Sequence, residues 1–257
     1  MRKFTILILL LLLSFPALST TKNPCSGVTY ATLQKHVPKL PQGKVLSKKP
    51  VFNLCEVIVD LGGKPYPFYV GRGYVILGNL FSLGQSVTNQ SYQKAQAREA
   101  ELQKGKFKTL RRRADALTVM VYKPSSSARR VLYMFTDPVC PFCARAEKQI
   151  KSIVKKHNVI LKVLFYPVHR PRGTDLAAVA ICKGIDLDTY LAKEWERKAN
   201  PSKEKCSKGE EILSRTDKLA RELGISGVPT FIMDSGDRVV GANMGALEEM
   251  LRKTDGK

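Results

Sequence analysis

The residues able to do chemistry stand together. Thr136-Asp137-Pro138-Val139-Cys140-Pro141-Phe142-Cys143 sets two cysteines with two residues between them. Thiols at that spacing can hold a metal, attach a haem, close a small disulfide ring or exchange disulfides. Structural zinc asks for a second ligand pair of like spacing, and the remaining cysteines are single and far apart. Haem attachment asks for His directly after the second Cys, where this chain has Ala144. So small a ring constrains little chain and is a poor staple. Redox exchange is the reading left, and it requires no metal and no cofactor. In that chemistry Cys140 is the nucleophile and Cys143 resolves the mixed disulfide.

The flanking residues say how the pair is positioned. Val131 to Phe135 is an apolar run of strand length, and Ile150, Ile153 and Val154 recur on one helical face. Strand, turn and helix put Cys140 at a helix N-terminus and Cys143 one turn along. The amides and dipole of that terminus stabilise a thiolate and lower its pKa, and only Cys140 is expected to meet solvent. Pro141 suits the first helical turn because no amide donor is needed there. Phe142 offers apolar surface to an unfolded client. Gly227-Val228-Pro229-Thr230 leads into a second apolar run, Phe231-Ile232-Met233. An isolated X-Pro bond is expected to be trans. With a CxxC on a strand–helix junction upstream, a cis Val228–Pro229 bond beside the cysteines is expected instead. It would present the Val228 backbone to a client for strand-like pairing. His169 and Arg170 follow another apolar strand and read as a solvated loop, with approach to the site as the alternative.

The chain has 257 residues, room for one or two domains. Met1-Arg2-Lys3, an apolar run from Phe4 to Leu13 and Ala17-Leu18-Ser19 form the pattern of a secretory leader over 1–19. Export implies an oxidising compartment, where six cysteines are used in pairs. With Cys140 and Cys143 set aside, three pairings are open. Local pairing, Cys25 with Cys55 and Cys182 with Cys206, is the simplest, the alternative being a free buried thiol at Cys25 or Cys55. The formal charge of +21 is spread along the chain. It reads as a solvated exterior able to meet anionic surfaces or acidic clients, and not as a nucleic-acid interface.

Short strand-like runs at Leu54 to Leu61, Tyr66 to Val70 and Tyr74 to Leu77 are separated by glycine turns. They predict a small antiparallel sheet domain over 20–88, after a proline-broken start with a short helix around Tyr30 to His36. A sheet this small needs a disulfide, a partner subunit or both. Residues 89–114 are rich in charged helix formers and read as an exposed helical linker, which Gly105 can interrupt. From 115 to 257 strands and helices alternate in the order of a parallel crossover unit.

Phe135 to Cys143, Cys182, Cys206 and Gly227-Val228-Pro229-Thr230 resemble the periplasmic thiol:disulfide isomerases of the DsbC/DsbG type, and Gly73 to Leu80 is similar to that family's N-terminal sheet. The resemblance covers nearly all of the chain after the leader. It implies a mixed α+β and α/β protein: a small cystatin-like dimerisation domain, a helical linker, and a thioredoxin fold with a helical insertion. It also implies a V-shaped homodimer in the periplasm, a second catalytic-domain disulfide between Cys182 and Cys206, and unfolded or misoxidised exported proteins as clients. A chaperone role and a membrane reductase of the DsbD type go with it. This chain departs from the pattern at Val228, where the family has Thr and oxidases of the DsbA type have Val. Its Pro-Phe dipeptide is nearer the DsbG pair, and Cys25 and Cys55 are additional to the family's cysteines.

Overall fold

The computed structural model describes residues 23–62 and 64–253, in two units. The leader expected over 1–19 lies outside the described residues. Among those residues no helix is long and apolar enough to cross a membrane.

The first unit runs to Leu61 and resumes over Pro65–Thr88. It holds α1 (Tyr30–His36), β1 (Lys44–Val51), β2 (Leu54–Leu61), β3 (Lys64–Gly71), β4 (Tyr74–Leu77) and a short hairpin of β5 (Phe81–Ser82) and β6 (Gln85–Ser86). The four longer strands form one sheet in the order β1-β2-β3-β4. Strand β1 was not expected, because its lysines and Pro50 read as irregular chain. It is an edge strand, where proline and charged side chains are tolerated in a sheet. Its Pro50 stands opposite Cys55. Cys55, Val57 and Val59 of β2 pack with Phe68 and Val70 of β3 and with Cys25, Val28 and Leu33. Cys25 and Cys55 are joined as a disulfide inside this core.

The second unit comprises Gly62–Lys64 and everything from Asn89 onward. In chain order come α2 (Val87–Ala116), β7 (Met120–Tyr122), β8 (Val131–Thr136), α3 (Pro141–Lys156), β9 (Ile160–Phe165), α4 (Arg172–Lys183), α5 (Leu187–Ala192), α6 (Glu194–Lys198), α7 (Pro201–Glu204), α8 (Ser207–Glu222), β10 (Thr230–Met233), β11 (Arg238–Val240) and α9 (Met244–Lys253). The sheet order is β11-β10-β8-β9-β7. Strands β8 and β9 are parallel, with antiparallel neighbours on either side.

Alternation along β8 builds two layers of core. Leu132 and Met134 point to one face, where Ile150 and Val154 of α3, Ala177 and Ala180 of α4, and Leu247 and Leu251 of α9 cover them. Tyr133 and Phe135 point to the other, where Phe107 and Ala114 of α2 and Leu219 and Ala220 of α8 close the sheet. The helix expected as an exposed linker is therefore exposed on one side only. Its second half is a structural layer of this unit, and Gly105 does not interrupt it. Few apolar residues suffice, because one aromatic, Phe107, stacks edge-on against Tyr133 at 5.1 Å between ring centres.

Within the helical insertion a disulfide joins Cys182 of α4 to Cys206, the N-cap of α8. A Cβ at Gly209 would lie 2.7 Å from the Cys182 sulfur, so the two helices can approach this closely only with glycine there.

Candidate active site

Strand β8 ends at Thr136, and Asp137 opens the turn that carries the chain into α3. The Asp137 carboxylate is fully buried. It accepts hydrogen bonds from the amides of Val139 (3.0 Å), Val168 and His169 (2.9 Å each), and its Oδ2 lies 2.8 Å from His169 Nδ1. Gly173 admits it, since a Cβ there would sit 2.6 Å from Asp137 Oδ1. His169, read from sequence as a solvated loop residue, thus takes part in fixing the turn before the cysteines.

Cys140 is the N-cap of α3, with Pro141 at the first helical position. Cys143 sits one turn further in, and both are free thiols. The expectation that Cys140 alone meets solvent needs correction. Cys140 is only 2% exposed and Cys143 fully buried. The loop before β10 covers Cys140: its sulfur lies 3.8 Å from the Val228 carbonyl oxygen. The Val228–Pro229 bond is cis, as is Arg170–Pro171. Pro141 and Phe142 are the exposed residues of the motif, Phe142 at 56% with the Arg145 guanidinium over its ring at 5.5 Å.

Beneath the pair lies a polar cluster that sequence reasoning missed. Glu147 falls on the buried stripe of α3, one turn beyond Cys143, among Ala146 and Ile150. Its Oε1 accepts from the Thr136 hydroxyl at 2.9 Å and from the Tyr190 hydroxyl at 2.7 Å. Its Oε2 pairs with Lys193 Nζ at 2.8 Å. The same ammonium donates to the Pro138 carbonyl at 3.3 Å and lies 4.3 Å from the centre of the Tyr190 ring. A buried carboxylate needs such compensation. The signal available in the sequence was a lone acid within an apolar helical stripe; nothing there pointed to Lys193.

Burial pushes the Cys143 thiol well above its ordinary range, partly offset by hydrogen bonds with the Thr136 hydroxyl and the Asp137 backbone. Burial, and then the charge of Glu147, likewise push the Tyr190 phenol up. A thiol held protonated in depth beside one at a helix N-terminus suits stepwise exchange, in which the outer sulfur reacts first. Among the described residues, no group of three or more His, Cys, Asp or Glu is placed to hold a metal ion.

The profile of a thioredoxin-like domain matches residues 121–254. The chain is 25% identical over 118 residues to the thiol:disulfide interchange protein DsbG of Escherichia coli, covering 45% of this chain and 48% of that one. It is 24% identical over 127 residues to a probable thiol:disulfide interchange protein DsbC of Bordetella pertussis, covering 49% and 43%. The chain thus spans about half the length of these relatives. Among solved structures, the thiol-disulfide exchange protein alpha-DsbA2 of Wolbachia pipientis superposes with a TM-score of 0.50 at 18% identity, covering 61% of this chain and 97% of that one. A linker-deletion variant of Proteus mirabilis ScsC gives 0.50 at 19%, covering 67% and 98%. These structural likenesses are likenesses of fold.

Proposed function

The chain belongs to the thioredoxin-like domain family, and from that premise we propose that it is a thiol:disulfide interchange protein acting on exported clients as an isomerase or reductase. The observation that carries this is the placing of two free thiols, Cys140 at the start of α3 and Cys143 one turn deeper, under the Val228 carbonyl. Cys140 attacks a client disulfide and forms a mixed disulfide. Cys143 then displaces the client, which leaves reduced, or the client's own thiol does, which leaves it rearranged. Pro141 starts the helix, Phe142 meets the client's apolar surface, and Val228 and Pro229 shape the wall the client lies along. The disulfides Cys25–Cys55 and Cys182–Cys206 support a periplasmic setting, with a DsbD-type membrane reductase keeping Cys140 and Cys143 reduced.

Recovery of activity from a scrambled multi-disulfide client tests the proposal. Wild type is expected to restore it and Cys140→Ser to restore none; equal recovery by the two would sink the reading. A dithiol oxidase is the second reading, favoured by Val228 before the cis proline. The redox state of Cys140 and Cys143 in the cell separates the two. A mainly reduced pair supports the isomerase, a mainly oxidised one the oxidase.

We also propose a homodimer formed through the first unit, and client holding by its exposed apolar side chains. Strand β4 is the last strand in the sheet order, and Tyr74, Ile76, Leu77 and Phe81 are exposed on or just after it. A cysteine-free variant that still suppresses aggregation of an unfolded protein would support the holding role; one that fails to do so counts against it.

A further inference from the structure

Three stretches of chain meet around Cys140. Residues 138–146 hold the two cysteines. Residues 166–174 abut them: the Val168 and His169 amides and the Gly173 backbone close on the Asp137 side chain, and the Asp137 carbonyl accepts from the Cys140 amide at 3.1 Å. Residues 225–233 lie over Cys140 through the Val228 carbonyl. Together the three contain Arg145, His169, Arg170 and Arg172, and no Asp or Glu.

Acids that touch these stretches are already engaged. Asp137 is buried against three amides and His169. Glu147 is buried and held by Thr136, Tyr190 and Lys193. Asp175 pairs with Lys205 at 2.8 Å. Asp217 of α8 is shared, Oδ1 with Arg170 and Oδ2 with Arg221 at 2.7 Å each, so one carboxylate serves two guanidinium groups. Arg145 and Arg172 are exposed and form no ion pair among the described residues. Arg145 lies over the Phe142 ring, a contact that uses its charge but none of its N–H donors. The fork that grips a carboxylate is left open. Exposed apolar side chains stand among these cations: Phe142, Val168 and Val240. Val240 belongs here because it faces Thr230 across the strand pair, and the next amide, of Gly241, donates to the Pro229 carbonyl at 2.8 Å.

We propose that this rim selects the client. The site prefers disulfides whose cysteine has an acidic residue beside it together with an apolar one, and Arg145 reads the acid. The inference rests on the exchange function proposed above and names its substrate class. The apolar side chain settles on Phe142 and Val168, and the carboxylate meets Arg145 with the charge of Arg172 behind it. The bond exchange is unaltered. The Cys140 thiolate attacks, the Cys140–client bond forms, the client disulfide breaks, and its other sulfur leaves as thiolate with the electron pair. What the rim changes is the rate of encounter, which a field of one sign raises for an opposite charge and lowers for a like one.

The test uses the full-length reduced protein and three short disulfide peptides, alike except for Glu, Gln or Lys beside the cysteine. Acid quenching and mass analysis give the rate of mixed-disulfide formation. Each rate is divided by that of a small thiol with the same peptide, which removes the peptide's own reactivity. At about 0.1 M salt, where charges act over about 10 Å, the Glu peptide is expected to react about tenfold faster than the Lys peptide, the low end of electrostatic steering. At about 1 M salt the ratio should fall to about twofold or less, as the screening length shrinks to about 3 Å. Arg145→Glu should bring the ratio to about one or below. Arg145→Gln should lower it, and Arg145→Lys should keep more of it than Gln does. Lys155→Glu makes the same change of net charge ten residues further along α3, about 15 Å away, and should leave the ratio in place.

A ratio indifferent to salt or to Arg145→Glu, or lost equally in Lys155→Glu, would overturn the inference while leaving exchange intact. A wild-type ratio near one, with binding to phosphatidylglycerol vesicles that Arg145→Glu abolishes, would overturn it in favour of a membrane surface. A wild-type protein that forms no mixed disulfide with any of the peptides would overturn the functional reading and this inference with it. Thermal melting of each variant establishes that it is folded, and Arg145→Gln carries the test should the charge reversal fail to fold.

Discussion

The Cys140 sulfur lies 3.8 Å from the Val228 carbonyl oxygen, so the backbone before Pro229 roofs the outer thiol, and Cys143 lies deeper still. A client sulfur approaching along that backbone meets Cys140 first. Cys143→Ala is therefore expected to accumulate a mixed disulfide between Cys140 and a client. Cys140→Ala is expected to form none, even though Cys143 remains. Non-reducing gels of the protein mixed with a disulfide-bonded client check this. Comparable adducts through Cys143 would show that the burial order does not govern the reaction.

The Cys182–Cys206 bond closes 24 residues of sequence separation between α4 and the cap of α8. On the chain-entropy argument a loop of that size is worth about 3 kcal/mol. Replacing both cysteines by Ala is expected to lower the melting temperature by roughly 6–12 °C for a unit of this size, with attack by Cys140 retained. A thermal melt followed in parallel with an alkylation rate at Cys140 measures the two effects apart. A melt unchanged within a degree or so would mean that α4 and α8 are held by packing alone.

Helix α2 offers a contrast between two of its apolar residues. Phe107 is fully buried against Tyr133, whereas Leu102 is 58% exposed. Truncating a buried Phe to Ala costs about 3–5 kcal/mol; truncating an exposed Leu costs little. Phe107→Ala is expected to destabilise the second unit by that amount in urea unfolding, and Leu102→Ala to leave it within about 0.5 kcal/mol. Similar small effects for both would return α2 to the role of a linker.

That helix also shows where sequence reading stops. Strands such as Val131–Thr136 and Thr230–Met233 were legible because every residue in them is apolar or small, and helix α3 because its apolar stripe is regular. The redox motif was legible because Cys140, Pro141 and Cys143 are local in sequence. What could not be read depends on chain segments far apart. Phe107 is one residue among many charged ones, and its partner Tyr133 is 26 positions on. Strand β1 carries lysines and a proline because it is an edge, and edge status is a property of the sheet. The pairing of Glu147 with Lys193 needs the helical insertion folded back over α3, which no spacing rule conveys.

Asp115, in the last turn of α2, accepts from the Tyr133 hydroxyl and from Lys162, each at 2.6 Å. Burial alone would raise its pKa, but Lys162 and Tyr133 outweigh it and hold the carboxyl below its ordinary value. A depressed folded pKa contributes stability above the unfolded value, lost as pH falls through the folded one. Asp115→Asn is therefore expected to be less stable than wild type at neutral pH. The gap should narrow only below about pH 4, the ordinary carboxylate range, and close in stronger acid. Urea midpoints at about pH 7, 5 and 3 test the sign. A gap that widened in acid would contradict it.

Strand β4 pairs with β3 along one side, Ile76 opposite Tyr69 and Leu77 opposite Phe68, and ends the sheet order. Ile76, Leu77 and Tyr74 are all exposed, with Phe81 and Leu83 just beyond. An apolar edge strand is a template for pairing with another chain, and soluble proteins blunt such edges with lysine or proline. Here the lysines lie on β1 instead, the opposite edge. A second copy of the first unit is the occupant that the proposed dimer supplies. Leu77→Lys is accordingly expected to shift the protein from dimer to monomer at micromolar concentration. The melting temperature of the second unit should not change, because none of its core residues belongs to β4. Sedimentation velocity of wild type and variant decides the matter, and a wild-type monomer at those concentrations would remove the dimer from the functional proposal.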